Sequence, residues 1–268
     1  MYVRVYKGSS FVKNKSAPPS KIITFDLDET LGDFANLCIL WHGIESHIPT
    51  FMTKREVFRE LMDLFPECIR PGIPSILEFL YRKKKAGLCS HVFLYTNNQR
   101  SREWVELLLE YFEIKTPGLF DHTICAFKIQ DKLVEPMRTT YNKTYSDLIR
   151  CTLLPKNAQI CFVDNSYHPK MVHERVYYIQ PRSYNQGLSG TDMIDRFLTK
   201  WTAFPIPDIV ESALQHSVWK PPKKQDKNMA VSQKIMYYLK EYFLLSTKQP
   251  KTKKIGWSLG RFTRKKRL

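Results

Sequence analysis

Two aspartates one residue apart close a short apolar run, Phe25-Asp26-Leu27-Asp28-Glu29-Thr30-Leu31. At a strand end, carboxylates at i and i+2 point the same way, and their repulsion raises the energy unless a cation or a shared proton relieves it. A divalent metal is one remedy. Aspartate oxygens suit Mg²⁺, which keeps several waters and binds through few carboxylates plus a substrate phosphate. A solvated turn after a strand is the plainer alternative. Two further apolar runs end in polar residues with similar capacity: Thr96-Asn97-Asn98 and Asp164-Asn165-Ser166. Phosphoryl transfer also needs positive charge on the equatorial oxygens, for which Lys128, Lys132, Lys143 and Lys156 are candidates. Lys143 directly precedes Thr144-Tyr145-Ser146-Asp147, the spacing of a helix-capping box with Asp in place of Glu. That puts its ammonium beside a helix N-terminus, where both act on the same anion.

Positioning these residues falls to a set of short β-type runs at Lys21–Asp26, His91–Thr96, His122–Phe127, Gln159–Asp164 and Arg175–Gln180. The runs are continuous rather than alternating, which predicts strands buried on both faces. Helical patterns lie between and around them at Thr53–Phe65, Pro74–Lys85, Ser101–Phe112 and Thr144–Leu153. Trp104, Leu107, Leu108 and Tyr111 form a core-facing stripe. Strands alternating with helices predict an α/β fold with a doubly wound, mostly parallel sheet, in which ligands sit at the carboxyl ends of the strands. The first twenty residues end in Ser-Ala-Pro-Pro-Ser and read as an exposed lead-in, with order beginning near Lys21.

The chain has 268 residues, 43% of them hydrophobic, which excludes wholesale disorder. Lys and Arg total 42 against 26 acids, a formal charge of +16. Fifteen of those bases and four acids lie from Pro205 onward, so +11 belongs to the C-terminal quarter and +5 to the first 204 residues. The opening residues lack the apolar core of a signal peptide, and no stretch has the length of a membrane span. A soluble, intracellular protein with no membrane partner is expected. The six cysteines form no CxxC pair and read as reduced. His42 and His47, like His168 and His173, are five apart, a poor ligand spacing, so surface or core roles are expected for them.

In order, DLDET at one strand end, Thr96 at a second, Lys143, and Asp164-Asn165 at a third resemble the four motifs of the haloacid-dehalogenase (HAD) superfamily. DLDETL together with CFVDNS resembles the FCP/SCP branch, phosphatases of the RNA polymerase II carboxy-terminal domain that include the NLI-interacting-factor-like proteins. The resemblance spans about Lys21 to Gln180. It implies a HAD-like, Rossmann-like phosphatase domain over 21–204 acting through an aspartyl phosphate. By the same resemblance Asp26 is the nucleophile, and Asp28 the acid that protonates the leaving hydroxyl and later activates water. Thr30 holds Asp28 by a hydrogen bond. Thr96, the Asn97 amide and Lys143 bind phosphate. Mg²⁺ is held by Asp26, the Asp28 carbonyl and a member of the Asp164-Asn165 pair, with Asn165 favoured. TNN departs from the family spelling, in which a small residue and a serine follow the threonine; that departure bears on substrate selectivity more than on phosphate binding. The β-type segment between Thr116 and Asn142 matches the family's small substrate-facing insertion.

The implied substrate is a phosphorylated protein, with the RNA polymerase II tail as the family's example. A nucleic-acid terminal phosphatase and a catalytically inactive adaptor are the alternatives. Residues 205–268 are expected to be a basic extension with an amphipathic helix near Met229–Leu245. From Ser246 to Leu268 there is no acid, and the chain ends Arg264-Lys265-Lys266-Arg267-Leu268. Nuclear targeting, nucleic-acid contact, docking of a phosphorylated tail and a solvated solubility tail all fit that composition. The nucleus is one setting that the basic cluster suggests, and the cytoplasm is the setting expected for a viral protein.

Overall fold

The computed structural model describes residues 3–13, 21–155, 158–202, 206–217 and 225–247. In chain order these form β1 (Val3–Lys7), β2 (Phe11–Lys13), β3 (Lys21–Phe25), α1 (Ala35–Ile44), α2 (Lys54–Leu64), α3 (Ile73–Lys85), β4 (Cys89–Tyr95), α4 (Arg102–Glu113) and β5 (His122–Ile124). There follow β6 (Lys128–Ile129), β7 (Lys132–Leu133), α5 (Tyr145–Thr152), β8 (Ile160–Val163), β9 (Val176–Pro181), α6 (Gly190–Lys200), α7 (Asp208–Gln215), α8 (Gln225–Phe243) and β10 (Leu245–Thr247).

Six strands make one sheet in the order β1-β9-β8-β3-β4-β5. Five run parallel, and β1 pairs antiparallel with β9 at the edge. Successive residues of the inner strands alternate between two cores. Ile23, Phe25, Val92, Leu94, Cys161, Val163, Tyr177 and Ile179 meet side chains of α1–α4 and α6–α8 on one face. On the other, Ile22, Phe93, Tyr95, Ile160, Phe162 and Tyr178 pack with Leu148 of α5. Coverage on both sides is why these strands read as unbroken apolar runs. The architecture is α/β with a mostly parallel sheet, consistent with a Rossmann-like fold. From β3 the chain winds outward through β4 to β5, then returns to β8 and β9 on the other side. The crevice at such a reversal opens between the carboxyl ends of β3 and β8.

Local chemistry starts the helices. Thr53 and Glu56 form a reciprocal capping box on α2, Ser101 accepts the Trp104 N–H on α4, and Ser189 and Asp192 box α6. On α5 the expected box is half-formed. Thr144 accepts the Asp147 N–H, but the Asp147 carboxylate turns instead to the hydroxyl (2.9 Å) and N–H (3.3 Å) of Thr139. That choice ties down the loop leading to Lys143.

Two expectations are corrected. The lead-in contains β1, whose VRVYK pairs residue for residue with β9, and β2, which pairs with β10. Tyr6 and Gln180 meet across that edge at 3.1 Å. Of the C-terminal extension, α7 and α8 likewise pack on the domain and β10 pairs with β2. Val231, Ile235, Leu239 and Tyr242 of α8 are buried on the larger face. Val210 of α7 sits where a side chain on Gly43 would be, and the Leu214 carbonyl where one on Gly190 would be. The expected amphipathic helix begins earlier, at Gln225, and ends at Phe243. The rest of the basic run, 248–268, lies outside the described residues, as does Lys156. All six cysteines are free. Among the described residues no helix is long and apolar enough to cross a membrane.

Candidate active site

Asp26 is the first residue beyond β3, and its N–H donates to the Val163 carbonyl of β8 at 2.9 Å. The chain then turns tightly. Glu29 takes a left-handed conformation (φ 56°), and the Leu31 N–H returns to the Leu27 carbonyl at 2.9 Å. Arg70, buried at 1% exposure, clamps this turn by donating to the carbonyls of Thr30 (2.7 Å), Glu29 and Arg182 (2.9 Å). Its guanidinium lies over the Tyr184 ring. Burial pulls its pKa down to about 10, which leaves it charged at neutral pH. Gly32 is required here because a Cβ would come within 2.3 Å of the Cys68 carbonyl.

The turn folds Thr30 back under Asp26. Its hydroxyl lies 2.9 Å from Asp26 Oδ2 and 2.9 Å from Asn165 Oδ1, and accepts the Asn165 N–H at 3.0 Å. The expected bond from Thr30 to Asp28 is therefore absent. Asp28 accepts instead from Asn98 Nδ2 at 2.8 Å, because the backbone carries Thr30 toward β8 and leaves Asp28 beside the loop after β4.

Lys143 joins the two strand ends. Its ammonium, on a side chain 2% exposed, donates to Asp26 Oδ1 at 2.5 Å and Asp164 Oδ2 at 2.7 Å. Burial by itself would lower its pKa, but Asp164 and Asp26 outweigh it and hold the ammonium above its ordinary value. The two carboxylates fare differently. Burial pushes Asp26 above the usual carboxylate range despite Lys143, with Asp164 and Asp28 adding to the rise. Asp164, where burial also acts upward, is held below the usual range by Lys143 and His168, whose Nε2 is 3.2 Å away. Burial also raises Asp28, against the Asn98 hydrogen bond. Asp26 is thus harder to ionise than Asp164, a division of two carboxylates by environment.

Thr96, 1% exposed, follows β4, with its hydroxyl accepting the Asn98 N–H at 3.0 Å. The adjoining loop is held by a second buried arginine. Arg138 donates to the carbonyls of Thr96 (3.2 Å), Cys125 (2.7 Å) and Tyr141 (3.0 Å), and to Asn97 Oδ1 (2.8 Å). It lies over the Tyr95 ring at 4.9 Å. The expected insertion carries the β6–β7 hairpin, turned by Gln130 and Asp131 in left-handed conformations. Lys128 and Lys132 sit on that hairpin, with Lys128 over Phe127, and make no bond to Asp26 or Asp164.

Two groups therefore assemble directly: Asp26, Thr30, Lys143, Asp164 and Asn165, and beside them Asp28 with Asn98 and Thr96. Arg70, Arg138 and His168 were not anticipated as site residues, and Asn98 stood only among the polar residues that end the second apolar run, with no role of its own. Among the described residues no group of three or more His, Cys, Asp or Glu is placed to hold a metal ion; the oxygens that converge here are carboxylate, amide and hydroxyl. Comparison with known proteins returns no matching family model, curated protein or solved structure.

Proposed function

We propose that this chain is a Mg²⁺-dependent phosphoprotein phosphatase of the FCP/SCP branch of the HAD superfamily, acting on phosphoserine or phosphothreonine. The observation that carries this reading is the buried bridge of Lys143 between Asp26 and Asp164 at the point where the sheet reverses, with Asp28 two residues away on a separate donor. An ionised Asp26 oxygen attacks phosphorus, and the phosphorus–ester oxygen bond breaks as Asp28 delivers its proton to the departing oxygen. Asp28, now a carboxylate, takes a proton from water, whose oxygen attacks the phosphorus of the aspartyl phosphate. The bond to Asp26 then breaks and releases phosphate. Lys143 is the cation in place for the phosphoryl oxygens throughout, and Thr30 orients Asp26.

The donor set fits Mg²⁺. The single hydroxyl proton of Thr30 faces both Asp26 Oδ2 and Asn165 Oδ1, so one of these acceptors always lacks it. Asp26, Asp28 and Asp164 also outnumber the one ammonium among them. Asp164 has its oxygens committed to Lys143, His168 and the Ser166 N–H (2.8 Å). The Asn165 amide nitrogen is turned to Glu29 and Ser183, which aims its oxygen inward. Asp26, the Asp28 carbonyl and Asn165 would then hold the ion. When bound, Mg²⁺ supplies countercharge for the carboxylates and the phosphoryl group.

The test is phosphate release from a phosphoserine peptide. Asp26→Asn is expected to lose at least about a thousand-fold in turnover, and EDTA to abolish it. Equal rates for wild type and variant, or indifference to EDTA, would overturn the mechanism. Faster release from a 3′-phosphorylated oligonucleotide than from the peptide would move the substrate to nucleic acid. An RNA polymerase II tail is the protein substrate we favour, with the basic residues past 247 as a docking or nuclear-targeting segment.

A further inference from the structure

We infer that Asn98 is the positioning residue for the leaving-group acid Asp28; the inference rests on the phosphatase reading above. Three hydrogen bonds fix Asn98. Its N–H donates to Thr96 Oγ1 at 3.0 Å, and its Oδ1 accepts the Arg100 N–H at 2.8 Å. The second bond settles which way the amide faces, because an oxygen must sit opposite a backbone N–H. The remaining group, Nδ2, is therefore the donor 2.8 Å from Asp28 Oδ2. Asn98 is the one side chain hydrogen-bonded to the Asp28 carboxylate among the described residues, since Thr30 is engaged with Asp26 and Asn165.

The support beneath Asn98 is independent of it. Arg138 holds the Thr96 carbonyl and the Asn97 side chain, so the loop keeps its anchors when the Asn98 amide is removed. A donor on Oδ2 has two effects on a general acid. It leaves Oδ1 as the oxygen that carries the proton, and it stabilises the carboxylate left behind once the proton has gone. Proton delivery matters most where the leaving oxygen is a poor leaving group, as in a serine or threonine ester. It matters least for a nitrophenolate, which departs without a proton. Asn97 and Asn98, where the sequence leaves the family spelling, thus serve different partners: one the Arg138 clamp, the other the acid.

The experiment compares kcat/KM for a phosphoserine peptide and para-nitrophenyl phosphate in wild type and Asn98→Ala. This parameter reports the steps through formation of the aspartyl phosphate, where the acid acts. The loss on the peptide is expected to exceed that on the aryl ester by about ten-fold or more. Arg138→Met, which loosens the whole loop, is expected to lower both substrates in parallel, with circular dichroism verifying the fold of each variant. Equal losses on both substrates for Asn98→Ala would reduce Asn98 to a structural residue and overturn the inference while leaving the phosphatase intact. A wild type inactive on both substrates would overturn both.

Discussion

Each end of β3 carries a buried lysine, and the two are handled in opposite ways. At the carboxyl end, Lys143 is clasped by two carboxylates and its charge is reinforced. At the amino end, Lys21 is 0% exposed and has no carboxylate partner among the described residues. Its ammonium donates to the Leu245 carbonyl and to Gln159 Oε1 (3.2 Å), and lies 4.9 Å from the Tyr242 ring centroid. Burial pulls its pKa down to about 8. The same residue type at similar burial is thus a fixed ion at one end and a group near its titration point at the other. The difference lies in what surrounds it: an excess of negative charge at the carboxyl end, neutral dipoles and a ring at the amino end. The first arrangement leaves a cluster with more carboxylates than cations. The second completes a core.

The sharpest way to break this contrast is to remove each ammonium. Lys143→Met leaves Asp26 and Asp164 buried without their counterion and should cost about 3–5 kcal/mol, read by urea denaturation, together with turnover. Lys21→Met strands no opposite charge, so its effect should stay within about 1 kcal/mol while turnover is retained. Comparable stability losses from both would show that the carboxylates do not set the difference.

A pH series sharpens it. With its folded pKa lowered to about 8 from an ordinary 10.5, Lys21 gives up its proton more readily in the folded state than in the unfolded. Its contribution is therefore unfavourable below the folded pKa, and stability is gained as pH rises from about 8 toward 10.5. Lys21→Met should lack that gain, so the wild type should improve relative to the variant by about 2 kcal/mol across the window. A constant difference would mean that Lys21 titrates normally. A comparably small effect is expected for Tyr242→Phe, which removes a hydroxyl 2.8 Å from the Gln159 carbonyl and 3.2 Å from that of Ile22. About 1 kcal/mol should be lost with kcat unchanged, because this residue serves the amino end.

The carboxyl end was far more legible in the sequence than the amino end, for a physical reason. Asp26, Thr96 and Asp164 follow directly on apolar runs, so the parallel topology alone brings them to one edge. Lys143 announced itself through the cap of α5. What stayed hidden depends on carbonyls and distant pairing. Arg70 and Arg138 grip main-chain oxygens, which have no side-chain signature, although Arg138 stands five residues before Lys143. Asn98 lay in a stretch whose spelling was unusual, but its partner could not be read from spacing, and Thr30 was assigned to Asp28 for the same reason. β1 was missed because its partner β9 is distant in the chain: Tyr6 and Gln180 are 174 residues apart. α1 gave no stripe because ANLCILWHGI is buried on nearly every side. α8 was legible as an amphipathic helix, but the sequence left open whether its apolar face packs on the domain or on a partner.

The pairing of β2 with β10 joins the first and last described stretches of the chain, and it bears on the order of events during synthesis. A ribosome releases Lys21 224 residues before Leu245, so the central strand waits through that length of synthesis for the partner that covers its amino end. Until then Ile235, Leu239 and Tyr242 are missing from the larger core face. A nascent chain halted at 204 would hold every motif residue and still present an open apolar flank to chaperones.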